Sequence, residues 1–211
     1  MLTAIRNNGL ILAVFACLST GLVALTYALT ASRIQVQEDA QLMSVLNQVI
    51  PPTAHDNDLH KACVLVTQPW LTNQPPFHAY VAKKQGKPNG LAIETVAPDG
   101  YNGAIKLIAG IDNQGVITGV RVLAHHETPG LGDRIDLRIT DWILGFTGKQ
   151  VTPENESNWQ VRKDGGGFDQ FTGATITPRA VVKAVKKITQ FVDQNREAIY
   201  RQPYQCQGES R

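Results

Sequence analysis

Between Arg6 and Arg33 the chain carries no charged residue, and Gly9 to Leu29 is an apolar run. That is long enough to cross a bilayer, which takes about 20 residues of helix. A cleaved signal peptide would show an apolar core of only about 7 to 15 residues and a small-residue cleavage site, and no clean Ala-x-Ala follows. The run therefore predicts a retained single-span anchor. Arg6 and the α-amino group on one flank, against Arg33 on the other, bias the N-terminus toward the cytoplasm.

Beyond the anchor the period changes. Leu42, Val45, Leu46 and Val49 recur at helical spacing, predicting a juxtamembrane helix over Gln41 to Ile50 that stops at Pro51-Pro52 and docks on the globular domain. Cys63 to Thr67, Phe77 to Lys83 and Leu91 to Ala97 read as strands separated by turn chemistry at Gln85-Gly86 and Pro88-Asn89-Gly90. Ala104 to Ile111 and Val116 to Ala124, rich in β-branched residues, form a hairpin around Asp112-Asn113-Gln114-Gly115. Ile135 to Phe146 predicts a short helix carrying Trp142, and Trp159 to Lys163 a further strand running into Gly165-Gly166-Gly167. A last helix, Pro178 to about Tyr200, presents Val181, Val185, Ile188 and Val192 on one face and must lie across the sheet. The fold class is α+β: a transmembrane helix, then one domain with a mainly antiparallel sheet packed by helices. The expected organisation is an N-terminal tip and span over 1–32, a juxtamembrane helix and linker over 33–60, and a globular domain over 61–211.

Composition narrows the function. A chain of 211 residues, 43% hydrophobic, supports one buried core plus an appendage. A formal net charge of +2, with lysines and arginines scattered, gives no basis for a nucleic-acid partner. Cys17, Cys63 and Cys206 show neither a CxxC nor a CxxCH spacing, so no metal cluster is expected. In an oxidising compartment Cys63 and Cys206 are either a disulfide tying the tail to an early strand or two separate buried thiols; sequence leaves both open. No GxGxxG follows a strand, and Gly148-Lys149 lacks the upstream glycine of a P-loop. His125-His126-Glu127 lacks the HExxH spacing of a zinc site.

The stretch that concentrates chemistry is Asp169-Gln170-Phe171-Thr172-Gly173-Ala174-Thr175-Ile176-Thr177-Pro178. Thr177 before Pro178 reads as an N-cap with proline at the first helical position, which sets Thr175 just upstream of a helix start. Free N–H groups and the positive end of the helix dipole stabilise an anion there. Gly173 and Ala174 are too small to block a bulky attachment. Taken alone, Gly173-Ala174-Thr175 is a weak signal, and the alternative for Thr175 is a helix-flanking threonine bonded to backbone.

These residues match the pattern Asp-x-x-(Ser/Thr)-Gly-Ala-Thr of domains that carry FMN on the last threonine through a phosphoester. With His125-His126-Glu127-Thr128-Pro129-Gly130-Leu131-Gly132-Asp133, Asp99-Gly100-Tyr101 and Gly119-Val120-Arg121-Val122, the chain resembles, over nearly its whole length, the G subunit of the bacterial Rnf (Rsx) electron transport complex. The resemblance implies FMN esterified to Thr175, with Thr172 as a hydrogen-bond donor to the phosphate beside Gly173 and Ala174. A flavin transferase would load FMN from FAD with Mg²⁺. Asp169 either fixes the turn or helps hold that Mg²⁺. Glu127, Thr128, Gly130 and Leu131 would line the isoalloxazine, or else belong to a rigid loop that closes the fold. Trp142 either stacks on the flavin or belongs to the core, and Lys149 is near the flavin or only at the surface. The implied function is electron relay coupled to ion movement among other Rnf subunits, in the bacterial inner membrane with a periplasmic C-terminal domain, and without a substrate-turnover site of its own. Two rivals are the C subunit of the sodium-pumping NADH:quinone reductase, which shares the threonine-linked FMN, and a cofactor-free tethered scaffold.

Overall fold

The computed structural model describes residues 2–71 and 74–206; side chains at 2–5, 32–36, 38 and 39 lie outside it, as do the flanking charges at the α-amino group and Arg33. The chain divides into two compact units, residues 1–42 and 43–211. Helix α1, Leu2–Val49, contains the stretch Arg6–Ala31, which is long and apolar enough to span a membrane and buries none of its own side chains. No proline or glycine stands between Gly21 and Pro51, so nothing interrupts the backbone ladder. The helix expected from Gln41 is therefore the last part of α1 rather than a separate element. It stops at Val49, before Pro51-Pro52, as expected.

In the second unit five strands form an antiparallel meander in sequence order: β1 (Cys63–Val66), β2 (Phe77–Lys84), β3 (Lys87–Gly100), β4 (Gly103–Asp112) and β5 (Ile117–Ala124). The predicted hairpin turn at Gln85-Gly86 forms with both residues at positive φ, 52° and 76°. Pro88-Asn89-Gly90, expected as a turn, lies inside β3 instead. A register shift between Ala82 and Lys83 lets Lys83 face Pro88, whose missing N–H is tolerated at such an irregularity. The side chains of Asn89 and Asn113 pin this part of the strand, donating to the carbonyls of Ala54 and Pro88 at 2.7 Å each. At the β4–β5 turn, Asp112 Oδ1 accepts from the amides of Gln114 and Val116 at 2.8 and 2.9 Å, a local bond that selects turn over strand.

One sheet face packs against helix α2, Ile176–Tyr200. Val181, Val185, Ile188 and Val192 are all buried, in one cluster with Leu91, Ile93, Leu107 and Ala109. Each valine, leucine or isoleucine among them contributes roughly 1.5–3 kcal/mol by leaving water. The other face receives the end of α1. Gly110 and Gly119 pair across β4 and β5, and a side chain at either would run into the backbone of Val49 or Gln48. The Thr118 hydroxyl donates to the Val49 carbonyl, and Arg121 Nε donates to Gln48 Oε1 at 2.8 Å. The helical period predicts this docking through Leu46 and Val49, both buried, but gives no sign of the glycine notch. A Cys63–Cys206 disulfide ties the tail to β1.

Two expected elements differ. Ile135 to Phe146 is not one helix but two short 3-10 segments, Gly132–Ile135 and Asp141–Phe146. Asp136 breaks it by accepting the Arg138 amide on its own carboxylate at 2.9 Å, a local bond that competes with the helix. Trp159 to Lys163 forms a single bridge, Val161 to Phe168, flanked by 3-10 turns, because Gly165 at φ 87° folds the chain back at once.

Gly110→Val should lower unfolding free energy by about 1–3 kcal/mol through overpacking, while Gly145→Ala, in open space, should leave it near wild type; chemical denaturation of both variants checks this. Burial pushes the Tyr200 phenol from 10.0 to about 12. The folded state then holds the proton more tightly, so stability present below about pH 10 is lost as pH rises toward 12. Thermal melts across that range should fall less steeply for Tyr200→Phe.

Candidate functional site

The segment Phe171-Thr172-Gly173-Ala174 is a tight turn closed by Ala174 N donating to the Phe171 carbonyl at 3.1 Å. Gly173 has φ 80°, open to glycine at little cost in the third position of a type II turn. Thr175 follows at the N-cap of α2, part-buried, and its side chain makes no capping hydrogen bond. Its carbonyl accepts from Arg179 N at 3.3 Å. The hydroxyl therefore stands at the positive end of a 25-residue helix without being spent on the helix backbone.

Thr177, the expected cap, lies inside the helix instead. The helix starts at Ile176, so Pro178 falls in its first turn, where a missing N–H costs nothing because no intrahelical acceptor is required. Thr177 is 1% exposed, and its Oγ1 donates to Glu127 Oε2 at 2.5 Å. Glu127, 5% exposed, accepts on its other oxygen from the backbone N–H of Asn102 at 3.2 Å. A buried carboxylate is costly unless its lone pairs are met. Here a hydroxyl on the first turn of α2 and an amide of the β3–β4 turn meet them.

Glycines make room for this carboxylate. A Cβ on Gly132 would lie 2.6 Å from Glu127 Oε2 and 2.8 Å from Thr177 Oγ1, and one on Gly100 would lie 2.9 Å from Glu127 Oε1. Three elements thus converge on one side chain: the tip of the β3–β4 hairpin, the loop from His125 to Asp133, and the start of α2. In that loop the carbonyl of Thr128 accepts from the amides of Leu131 and Gly132 at 3.1 Å and Asp133 at 3.5 Å, while Thr128 Oγ1 lies 3.5 Å from Asn102 Nδ2. Gly130 takes φ 76°. His125 Nδ1 accepts the Glu127 N–H at 3.1 Å, and its Nε2 lies 3.9 Å from Asp136 Oδ2. The Arg138 guanidinium holds the Asp136 carboxyl below its ordinary range, with His125 a smaller contribution.

Leu131 joins the loop to the motif, since a Cβ on Gly173 would lie 3.7 Å from Leu131 Cδ2. Leu131 is 43% exposed, Ile176 45% and Tyr101 66%, so apolar surface is left open on all three converging elements. Ile176 and Asn102 carried no signal in the sequence that marked them. Asp169 and Trp142 support the turn from behind. Trp142 Nε1 donates to the Asp169 carbonyl at 2.8 Å, and its ring packs edge-on against Phe171 and Phe146. The Asp169 carboxylate pairs with Arg162 at 3.1 Å. Lys149 lies with its ammonium 5.6 Å from the Phe168 ring centroid, and Arg134 stands 6.0 Å from that of Phe171. Thr172 is exposed beside Gly173.

Comparison with known proteins bears on this geometry. Residues 100–190 match the family described as FMN-binding domain, and residues 1–49 match the RnfG N-terminal region. The first match takes in all three elements that meet at Glu127. The chain is 66% identical over 209 residues to the G subunit of the ion-translocating oxidoreductase complex of Vibrio cholerae serotype O1, covering 99% of this chain and 100% of that one. It is 63% identical over 210 residues to the protein of the same name from Vibrio parahaemolyticus, covering 100% of both chains. Against that of Aliivibrio fischeri it is 53% identical over 208 residues, covering 98% of this chain and 99% of the other.

Removing the hydroxyl in Thr177→Val should cost about 1–3 kcal/mol by leaving one oxygen of a buried carboxylate unmet, and Thr177→Ser should recover most of it. Urea denaturation of the two variants measures the difference.

Proposed function

The chain belongs to the RnfG family, the G subunits of ion-translocating oxidoreductase complexes, and from that premise we propose that its globular body carries FMN as a phosphoester on Thr175 and relays electrons through it. The protein is an FMN-binding, membrane-anchored subunit of an Rnf-type complex. The finer reading, a covalent bond at one named hydroxyl, rests chiefly on the state of Thr175: part-buried, uncapped, and at the start of α2.

The residues present fit such a group. A phosphodiester at Thr175 would sit where the helix dipole favours negative charge. Glu127 is kept on the buried side of the helix start by Thr177, while Thr175 is only part-buried. Gly173 and Ala174 leave the approach unobstructed, and Thr172 offers a hydroxyl three residues before Thr175. Leu131 and Ile176 supply open apolar surface for a flat ring. Asp169, bonded through its carbonyl to Trp142 and through its carboxylate to Arg162, holds the turn, which makes it a positioning residue. Lys149 and Arg134 place positive charge on the aromatic cluster behind the motif.

Loading would proceed at Thr175 Oγ1. The hydroxyl would serve as acceptor of the FMN phosphoryl group of FAD, giving up its proton while AMP is released. A flavin transferase with Mg²⁺ supplies that reaction, and the chain supplies the acceptor. The bound flavin supplies one- and two-electron redox chemistry. A covalent tether removes the need for affinity from a deep pocket, so the cofactor can stay accessible to partner subunits. With the N-terminus in the cytoplasm, the body lies in the periplasm and the span holds it at the inner membrane beside the other subunits. Relatives over the full length are named as G subunits, which favours this assignment over the sodium-pumping C subunit and over a bare scaffold.

Protein made together with the flavin transferase should give a fluorescent band on an unstained denaturing gel, and Thr175→Ala should abolish it with no loss of folded protein. A band that persists in Thr175→Ala moves the attachment elsewhere; no band with the native threonine removes the covalent reading.

A further inference from the structure

A second group of chemically competent side chains lies on the sheet face opposite α2, at the β1 edge. Cys63 on β1 pairs in register with Tyr80, and His78 faces Leu65, so Cys63 and His78 are diagonal neighbours on one face. Cys206 reaches the same place from the tail, which is laid along β1 by Gln205 N donating to the Cys63 carbonyl at 3.0 Å. The two sulfurs and a ring nitrogen of His78 all lie within 4.8 Å of one another. Behind the imidazole, Glu94 Oε2 stands 3.2 Å from His78 Nδ1, and Tyr80 Oη lies 3.5 Å from Glu94 Oε1.

Two thiolates and an imidazole whose far nitrogen is held by a carboxylate are the parts of a zinc site with its supporting shell. In the structure the sulfurs are joined to each other, so neither is the thiolate that binds a metal ion. We propose that Cys63, His78 and Cys206 bind Zn²⁺ in the dithiol form of the chain, with Glu94 as the positioning residue, so that disulfide and metal are alternative closures of the same tail. A newly made chain holds both thiols before oxidation. Afterwards a dithiol reductant regenerates them: its two thiols deliver two electrons and two protons, the Cys63–Cys206 bond breaks, and a disulfide forms in the reductant. Zn²⁺ then displaces the two thiol protons to solvent as two Zn–S bonds form. Nδ1–H of His78 donates to Glu94, Nε2 supplies the third bond, and water completes the tetrahedron. At Zn–S of about 2.3 Å and Zn–N of about 2.0–2.1 Å the ligand atoms sit roughly 3.5–3.8 Å apart, a spacing the group reaches by a shift of the tail.

This site is independent of the flavin, and its test avoids flavin absorption. The full chain with Cys17→Ser is made without the flavin transferase, held in detergent, reduced with a phosphine that is then removed, and titrated with Co²⁺. One equivalent should give a thiolate-to-cobalt charge-transfer band that one equivalent of Zn²⁺ abolishes, and the disulfide form should give none. Cys206→Ser should remove the band. His78→Asn should weaken binding at least about tenfold, and Glu94→Gln about 10- to 100-fold, as loss of a carboxylate behind a ligand histidine does, with far-UV circular dichroism unchanged in both. A reduced chain without the band, a band indifferent to His78→Asn, or a band that forms only once the domain has unfolded overturns the proposal.

Discussion

The buried carboxylate of Glu127 holds together the region in which FMN attachment is proposed. It is almost wholly withdrawn from water, yet each oxygen is met, by the Thr177 hydroxyl and by the Asn102 amide. Those partners come from segments far apart in sequence, and losing either leaves an anion buried with one side unsatisfied. The carboxylate therefore fixes how the β3–β4 tip and the start of α2 stand against the loop that bears it. A side chain at Gly132 would occupy the space of the carboxylate oxygens, and one at Gly100 would meet both the Gly103 carbonyl and Glu127 Oε1.

Fixing α2 at that point fixes Thr175. The helix is held along its length by its valine and isoleucine face on β3 and β4, and at its first turn by Thr177 to Glu127 and by Arg179, whose guanidinium donates to both oxygens of Asp164 at 2.6 and 2.9 Å. With the rigid turn at Gly173 and the Trp142 bond to Asp169, the threonine's backbone is constrained from both sides while its hydroxyl stays unspent. A site arranged this way suits a group bonded once and kept, because position comes from the scaffold and the proposed ester would supply only attachment.

Much of this was legible in the sequence, for identifiable reasons. The anchor is a matter of length and apolarity, and the buried face of α2 follows from helical period. The hairpins follow from Gly, Asn and Asp chemistry at Gln85-Gly86 and Asp112 to Gly115. Thr177-Pro178 misleads because the pair has the composition of a cap, whereas the hydroxyl is claimed by a carboxylate fifty positions away, which no local rule reveals. Pro88 to Gly90 carries turn residues but is absorbed into a strand by a register shift. The helix expected over Ile135 to Phe146 gives way at Asp136, whose side chain competes for backbone donors. Gly110 and Gly119 look like ordinary strand glycines until the end of α1 is seen against them.

The proposed covalent flavin on this chain rests on a bond at one oxygen. Mass analysis of the peptide containing Thr175, from protein isolated out of its native membrane, tests that most directly. The account expects the mass of one FMN residue on that side chain; an unmodified threonine in the native protein would contradict it.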